Sequence, residues 1–257
     1  MIATAGYFDD RRPLPAGMRF FAHIGAAAWA MYMLGGLPPL RFGGHLLALG
    51  IWGDAIGLVA IVWVLNLFNF MDGIDGIAAS EAVFVAGAGG TLAIIYFKDF
   101  SVGCGGLAIA VAALAFLAWN WPPAKIFMGD VGSGYLGFCI AVLALAVGRS
   151  SPVGSFVWLI LGSFFFADAT TTLFIRLARG ERLYLPHRDH MYQRLARRCR
   201  AHGPVTLLVC AVNLCVLLPG ALYALAMPNF AAALCGATLV ILSAALLWMR
   251  ASPRFGP

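Results

Sequence analysis

Residues 52–97 read WGDAIGLVAIVWVLNLF (52–68), then NFMDGIDG (69–76), then IAASEAVFVAGAGGTLAIIYF (77–97). Two apolar runs flank a short stretch with two aspartates and two glycines. About 20 apolar residues suffice for a helix to cross the roughly 30 Å hydrocarbon core of a bilayer. Only helices suit such runs, since backbone groups in lipid must pair within their own segment. The stretch therefore predicts a transmembrane hairpin with an acidic tip.

The pattern continues in both directions. Apolar segments fall at 18–36, 52–68, 77–97, 104–119, 132–148, 153–176, 204–226 and 229–249. They predict an all-α, polytopic bundle of about eight transmembrane helices, forming one membrane-embedded domain over 1–257. The runs at 52–68 and 132–148 are short and are expected to draw in flanking residues. Composition agrees: 62% of the chain is hydrophobic and 11% charged, with a mean hydropathy of +0.88. Soluble domains carry about 25% charged residues, so this chain would have no surface to show to water. The net charge of +6 does not call for nucleic acid, because basic residues in a membrane protein mark orientation. The six cysteines form no CxxC pair, so metal-ligand spacing is absent. The start, MIATAGYFDDRRP, is polar and proline-bearing; no secretory signal is expected, and the first membrane helix serves for insertion.

Charge fixes the expected topology. With the N-terminus inside, fourteen basic residues fall on the cytoplasmic side, among them Arg11, Arg19, Arg176, Arg182, Arg250 and Arg254, and only Arg41, Lys98 and Arg149 fall opposite. The positive-inside rule then places both termini in the cytoplasm. Nine of the eleven acids lie near the same face, Asp54 and Asp99 being the exceptions. Acids do not obey that rule, so their bias suggests a shared polar site. The polar stretch 177–203 reads as a cytoplasmic loop with a short amphipathic helix near 189–200.

Four constellations carry chemistry. In Asn66–Ala78, a helical reading puts Asn69, Asp72 and Asp75 on one face at every third residue; such acids suit a divalent cation, a base or a nucleotide edge. In Asn120–Ser133, Asp130 precedes a glycine-serine run. Phosphate could take free N–H groups at a helix start there while Asp130 holds magnesium; the bland reading is a helix cap by Ser133. His187, Arg188 and His190 combine imidazoles with cations and suit a phosphate ligand. Asp9 and Asp10 precede Arg11, Arg12 and Arg19; alone, such a pair is usually solvated. Asp168 lies inside an apolar run and reads equally as functional or structural.

NLFNFMDGIDGIA at 66–78, NWPPAKIFMGDVGS at 120–133, HRDHMYQRL at 187–195 and FDDRRPLPAGMRF at 8–20 together resemble the polyprenyl-phosphate N-acetylhexosamine-1-phosphate transferases, glycosyltransferase family 4. The resemblance covers essentially the whole chain. It implies transfer of an N-acetylhexosamine 1-phosphate from a UDP-sugar to undecaprenyl phosphate, with release of UMP, at the cytoplasmic face of the cell inner membrane. It implies Mg2+ as cofactor, with Mn2+ as an alternative. By matching motifs it implies catalytic roles for Asp9, Asp10, Asp72 and Asp75, and metal binding by Asp130 and Asp72. Asn69, Asn120, Phe127, His187, Arg188 and His190 become substrate-binding, Phe127 by stacking on uracil and the histidine loop by contacting phosphate. The paired aspartates would engage the lipid phosphate.

The histidine-loop form resembles members that start O-antigen chains more than the muramyl-pentapeptide branch. Family members carry about two further helices ahead of the paired aspartates, so the expectation is a chain lacking them. A homodimer is left open. The rival readings are an ion-coupled transporter using Asp168 and Asp72, and a non-catalytic truncated remnant.

Overall fold

A computed structural model describes residues 1–12, 14–181 and 187–252. Arg182 and Arg254, part of the charge pattern, lie outside the described residues. The described chain is an all-α bundle: α1 (Ile2–Arg11), α2 (Ala16–Leu34), α3 (Gly50–Met71), α4 (Ile77–Phe97), α5 (Phe100–Asn120), α6 (Gly129–Ser150), α7 (Gly154–Leu161), α8 (Ser163–Ala178), α9 (Met191–Cys199), α10 (Gly203–Val212), α11 (Leu218–Ala226) and α12 (Ala231–Ala251). A π-helical turn, Asn213–Leu217, joins α10 to α11. A hairpin of β1 (Leu40–Phe42) and β2 (His45–Leu47) links α2 to α3.

Every predicted apolar segment is helical, and the two short runs draw in flanking residues as Gly50–Met71 and Gly129–Ser150. Six helices are long and apolar enough to cross a membrane, or seven if the bent pair α7–α8 counts as one span. The expected eighth, α2, falls outside that set; Arg19 and His23 lie within it. The segment 153–176 is not one straight helix but bends by 70° between Leu161 and Ser163.

Packing follows membrane logic, in which small residues let helix backbones approach. Between α4 and α5, a Cβ on Gly90 would lie 2.8 Å from the Gly103 carbonyl oxygen, so the two backbones touch. Outward surfaces are apolar: Trp29, Trp52, Val59, Val111, Val240 and Trp248 are exposed, as lipid-facing positions should be. Inside, Glu81 of α4 is fully buried and accepts a 2.6 Å hydrogen bond from the amide of Asn213 in the π turn.

The helices sort polar groups into two layers. At one end of the bundle, Asp54 accepts from the Leu37 amide, Arg149 donates to the Gly36 carbonyl, and Ser150 donates to Asp99. The other end gathers the four motifs. α3, at 22 residues, is about 33 Å long at 1.5 Å per residue, which separates the two layers by a bilayer's thickness.

Candidate active site at one face of the bundle

The site is built where helices end. α3 stops at Met71, and Asp72 closes it with a non-helical backbone (φ −86°, ψ 51°) and its N–H on the Asn69 carbonyl. This corrects the helical reading of 66–78: Asp72 and Asp75 do not share a helix face with Asn69. They sit in a turn, and they point to different neighbours. Asp75 accepts a 3.1 Å hydrogen bond from the Ala124 amide, and its Oδ1 lies 3.2 Å from His202 Nδ1. Thr206 donates to its carbonyl. Asp75 thus staples the turn to the 121–127 loop and to the start of α10.

Asn120 makes a second staple. Its buried amide accepts from the Gly76 N–H and donates to the Ile126 carbonyl, joining the two loops that carry Asp72 and Asp130. Phe127, by contrast, is 80% exposed and stands on the wall of the cleft with its ring uncovered.

Asp72, Asn69, Asn120, Phe127 and Asp130 line one cavity of about 340 Å3. Burial, followed by the charges of Asp130 and Asp10, pushes the Asp72 carboxyl up to about 7. Asp130 and Asn69 also wall a second cavity of about 390 Å3, together with Asp9, Arg19, His23 and Asn66. A third, about 990 Å3, shares Gly73, Asp75 and His202 with the first and is walled by His187, Arg188, Arg197 and Arg200. Three cavities with common walls make one cleft, acidic in the middle and basic on one flank.

Asp9 and Asp10, adjacent in sequence, face different ways. Asp9 accepts from Arg19 at 2.7 Å and from the Leu14 amide at 2.6 Å. Its burial works against ionisation, but hydrogen bonds with Asp130, Leu14 and Arg19 hold the carboxyl below its ordinary value. Asp10 accepts instead from the backbone N–H groups of Asp130 (2.9 Å) and Val131 (3.3 Å). Two of the helix-start amides expected to meet phosphate are therefore already taken. Ser133 does not cap that start either: its hydroxyl donates to the Gly129 carbonyl.

The histidine loop is anchored from below. Asp168 of α8, 1% exposed, accepts from the N–H groups of Met191 (2.8 Å) and Tyr192 (3.0 Å) and from Thr172. It caps α9, the predicted amphipathic helix, which buries Met191, Tyr192 and Leu195 and exposes Arg197 and Arg198. Both Asp168 oxygens are committed, so the transporter reading loses one of its two acids. Tyr192 then donates to the Phe70 carbonyl and ties α9 to the end of α3. His190 is buried among Phe70, Tyr192 and His187, off the cavity walls, and burial lowers its imidazole to about 3. His187, its ring 4.8 Å away, does reach the basic cavity, and burial followed by Arg176 lowers it too. Arg176 pairs with Asp189, and Arg250 of α12 donates to Thr172 and the Asp189 carbonyl.

Sequence reasoning missed Arg19 and His202 as site residues. Arg19 was legible as the one cation in an otherwise apolar helix start ten residues after Asp9. His202 sits at the start of α10, just ahead of Gly-Pro, a position that only the fold brings to Asp75. Among the described residues, no three His, Cys, Asp or Glu side chains gather closely enough to hold a metal ion by themselves.

The fold and cleft define a multi-pass helical membrane protein with an acidic centre at one face. The family model "Glycosyl transferase family 4" matches residues 1–148, and the chain belongs to that family. It is 32% identical over 204 residues to the "Probable undecaprenyl-phosphate N-acetylglucosaminyl 1-phosphate transferase" of Bacillus subtilis (strain 168), covering 76% of this chain and 55% of that protein. It is 45% identical over 101 residues to the "Phospho-N-acetylmuramoyl-pentapeptide-transferase" of Clostridium botulinum (strain Eklund 17B / Type B), covering 38% of this chain and 30% of that one. A protein of the same description from Phenylobacterium zucineum (strain HLK1) is 35% identical over 153 residues, 52% and 40% of the two chains. The chain thus spans about half or less of the length of these relatives.

Proposed function

We propose that the protein transfers a sugar 1-phosphate, of N-acetylhexosamine type, from a UDP-sugar to undecaprenyl phosphate and releases UMP. The O-antigen-initiating step of envelope synthesis at the cell inner membrane is the corresponding physiological reading. The carrying observation is the order of the three joined cavities. One holds Arg19 between apolar helices, the middle one holds Asp72 and Asp130, and the outer one is basic. That order suits a lipid-borne phosphate, a reacting centre and a nucleotide diphosphate.

The reaction exchanges one phosphoanhydride linkage for another. An oxygen of the acceptor phosphate forms a bond to the sugar-bearing phosphorus of the donor, and the bond from that phosphorus to the UMP oxygen breaks. The acceptor oxygen is already ionised near neutral pH, so the main obstacle is bringing two anions together, and catalysis rests on positioning and charge. Arg19 would receive the acceptor phosphate, with the Asn66 and Asn69 amides beside it. Arg188, Arg197 and His187 would face the donor's phosphates. Phe127, exposed on the cleft wall, offers a ring for the uracil.

The acidic centre suits a divalent cation. Asp72 and Asp130 offer hard oxygen donors, and a cation would offset both the burial and the repulsion from Asp130 and Asp10 that raise Asp72. Mg2+ usually takes one or two carboxylates and completes its shell with phosphate oxygens and water, so two acids suffice where no protein cage exists. When bound, the ion would neutralise charge on the diphosphate.

The test uses membranes carrying the full chain, radiolabelled UDP-N-acetylhexosamines and undecaprenyl phosphate. A labelled, chloroform-soluble lipid is expected, dependent on the acceptor. No labelled lipid from any such donor would overturn the reading.

Orientation has its own test. The charge pattern motivates a cytoplasmic cleft, with both termini on that side. In a background without the native cysteines, Gly180→Cys and Gly203→Cys should resist an impermeant thiol reagent in intact cells and react after permeabilisation. Labelling of intact cells would put the cleft on the wrong side for a cytosolic UDP-sugar.

A further inference from the structure

We infer that the paired aspartates divide their work: Asp9 faces the reacting phosphates, whereas Asp10 is a positioning residue that caps α6 and thereby places Asp130. The inference deepens the proposed transfer and rests on it for its activity readouts.

The first N–H groups of any helix lack partners within it. α6 has no cap of its own: Met128 precedes it, and the Ser133 hydroxyl is spent on the Gly129 carbonyl. Asp10 supplies the cap from another helix, one carboxylate oxygen on the Asp130 N–H and the other on the Val131 N–H. A negative charge there also complements the helix dipole. The approach is built into the backbones. A Cβ on Gly6 would lie 2.6 Å from the Val131 nitrogen and 2.7 Å from the Asp130 carbonyl carbon, so α1 rests directly on the first turn of α6. Gly129 has φ +64°, and a Cβ on it would lie 2.6 Å from Asp10 Oδ2.

Asp10 forms no part of the wall of either cavity that contains Asp130, whereas Asp9 lines the one with Arg19. Successive residues of a helix point about 100° apart, so one α1 orientation serves both tasks. Asp9 reaches the cleft while Asp10 reaches the α6 backbone.

Asparagine is as good a helix cap as aspartate, and alanine is a poor one. Asp10 accepts from two N–H groups and asparagine keeps one acceptor oxygen, so Asp10→Asn is expected to fall between wild type and Asp10→Ala in exchange at the Asp130 and Val131 amides and to stay more active than Asp9→Asn. Asp10→Ala should speed hydrogen exchange at the Asp130 and Val131 amides about tenfold, the scale of a lost cap. It should raise the Mg2+ concentration needed for half-maximal transfer, with much of the rate recovered at saturating Mg2+. Gly6→Val should do the same without touching a carboxylate, by lifting α1 from α6. Asp9→Asn should stay inactive at every Mg2+ concentration.

Two results would overturn the division: Asp10→Asn as inactive as Asp9→Asn with its amide exchange unchanged, or Asp10→Ala with wild-type exchange at both amides. Failure of the wild type itself to transfer sugar phosphate would refute the proposed function instead, and the exchange measurement would still decide the cap.

Discussion

Asp130→Asn is expected to abolish sugar-phosphate transfer while leaving the protein folded and in the membrane. Asp130 lines both the cavity with Arg19 and the cavity with Asp72, so it borders both phosphates of the proposed reaction. Its backbone is held by Asp10, and the asparagine variant keeps that bond and the side-chain volume. What it removes is one negative charge and one strong cation donor. A metal that offsets several charges is worth several kcal/mol of barrier, so the rate should fall by at least about a hundredfold, beyond rescue by added Mg2+. Turnover should be measured across Mg2+ concentrations, with thermal unfolding as the control for folding. Undiminished turnover at limiting Mg2+ would reduce Asp130 to a structural acid.

Asp168→Ala should produce the largest structural loss. Two buried backbone N–H groups, of Met191 and Tyr192, would lose their acceptor. Leaving a buried donor unpaired costs about 1–3 kcal/mol each, so α9 is expected to detach from α8 and carry the histidine loop with it. Tyr192 would then release the Phe70 carbonyl at the end of α3. The expected readout is thermal unfolding lowered by several degrees, fast exchange at both amides, and loss of transfer. Asp168→Asn, which keeps one acceptor oxygen, should fall between. Wild-type unfolding and exchange in the alanine variant would refute the cap.

The helices were legible because lipid imposes a strong rule on sequence, and each apolar run is helical, although 153–176 divides into α7 and α8. Boundaries were less so: the bend carries no proline, and its one local signal, the Gly162–Ser163 pair at which helices can kink, is hidden in an unbroken apolar run. The acidic cleft was legible as a set of residues, since Asp9, Asp72 and Asp130 lie at helix ends on one face. Their partners were not. Asp72 and Asp75 share three-residue spacing, but the helix ends at Met71 and the turn sends Asp75 to His202, 127 residues away in sequence. Asp9 and Asp10 look interchangeable in sequence, and only the seating of α1 on α6 separates them. Asp168 could be read as functional or structural until its two oxygens met the start of α9, and the burial of His190 against Phe70 and Tyr192 had no signal in the sequence.

The π turn at Asn213–Leu217 governs phase. Along this span the buried residues Val205, Val209, Asn213, Leu217 and Ala221 recur every four positions. Four residues advance an α-helix by about 400°, so each step drifts about 40° around the axis. Over the whole stripe an unbroken α-helix would wander almost half a turn and carry its far end toward lipid. A π turn holds an extra residue and so winds each residue through a smaller angle. It cancels part of the drift and keeps Asn213 on Glu81 while Ala221 still faces inward. Deleting one residue from 214–217 would restore an ordinary helix with the inner surface of α11 still facing inward, whereas straightening the turn with every residue kept would rotate everything beyond it toward lipid by most of one residue's roughly 100° step.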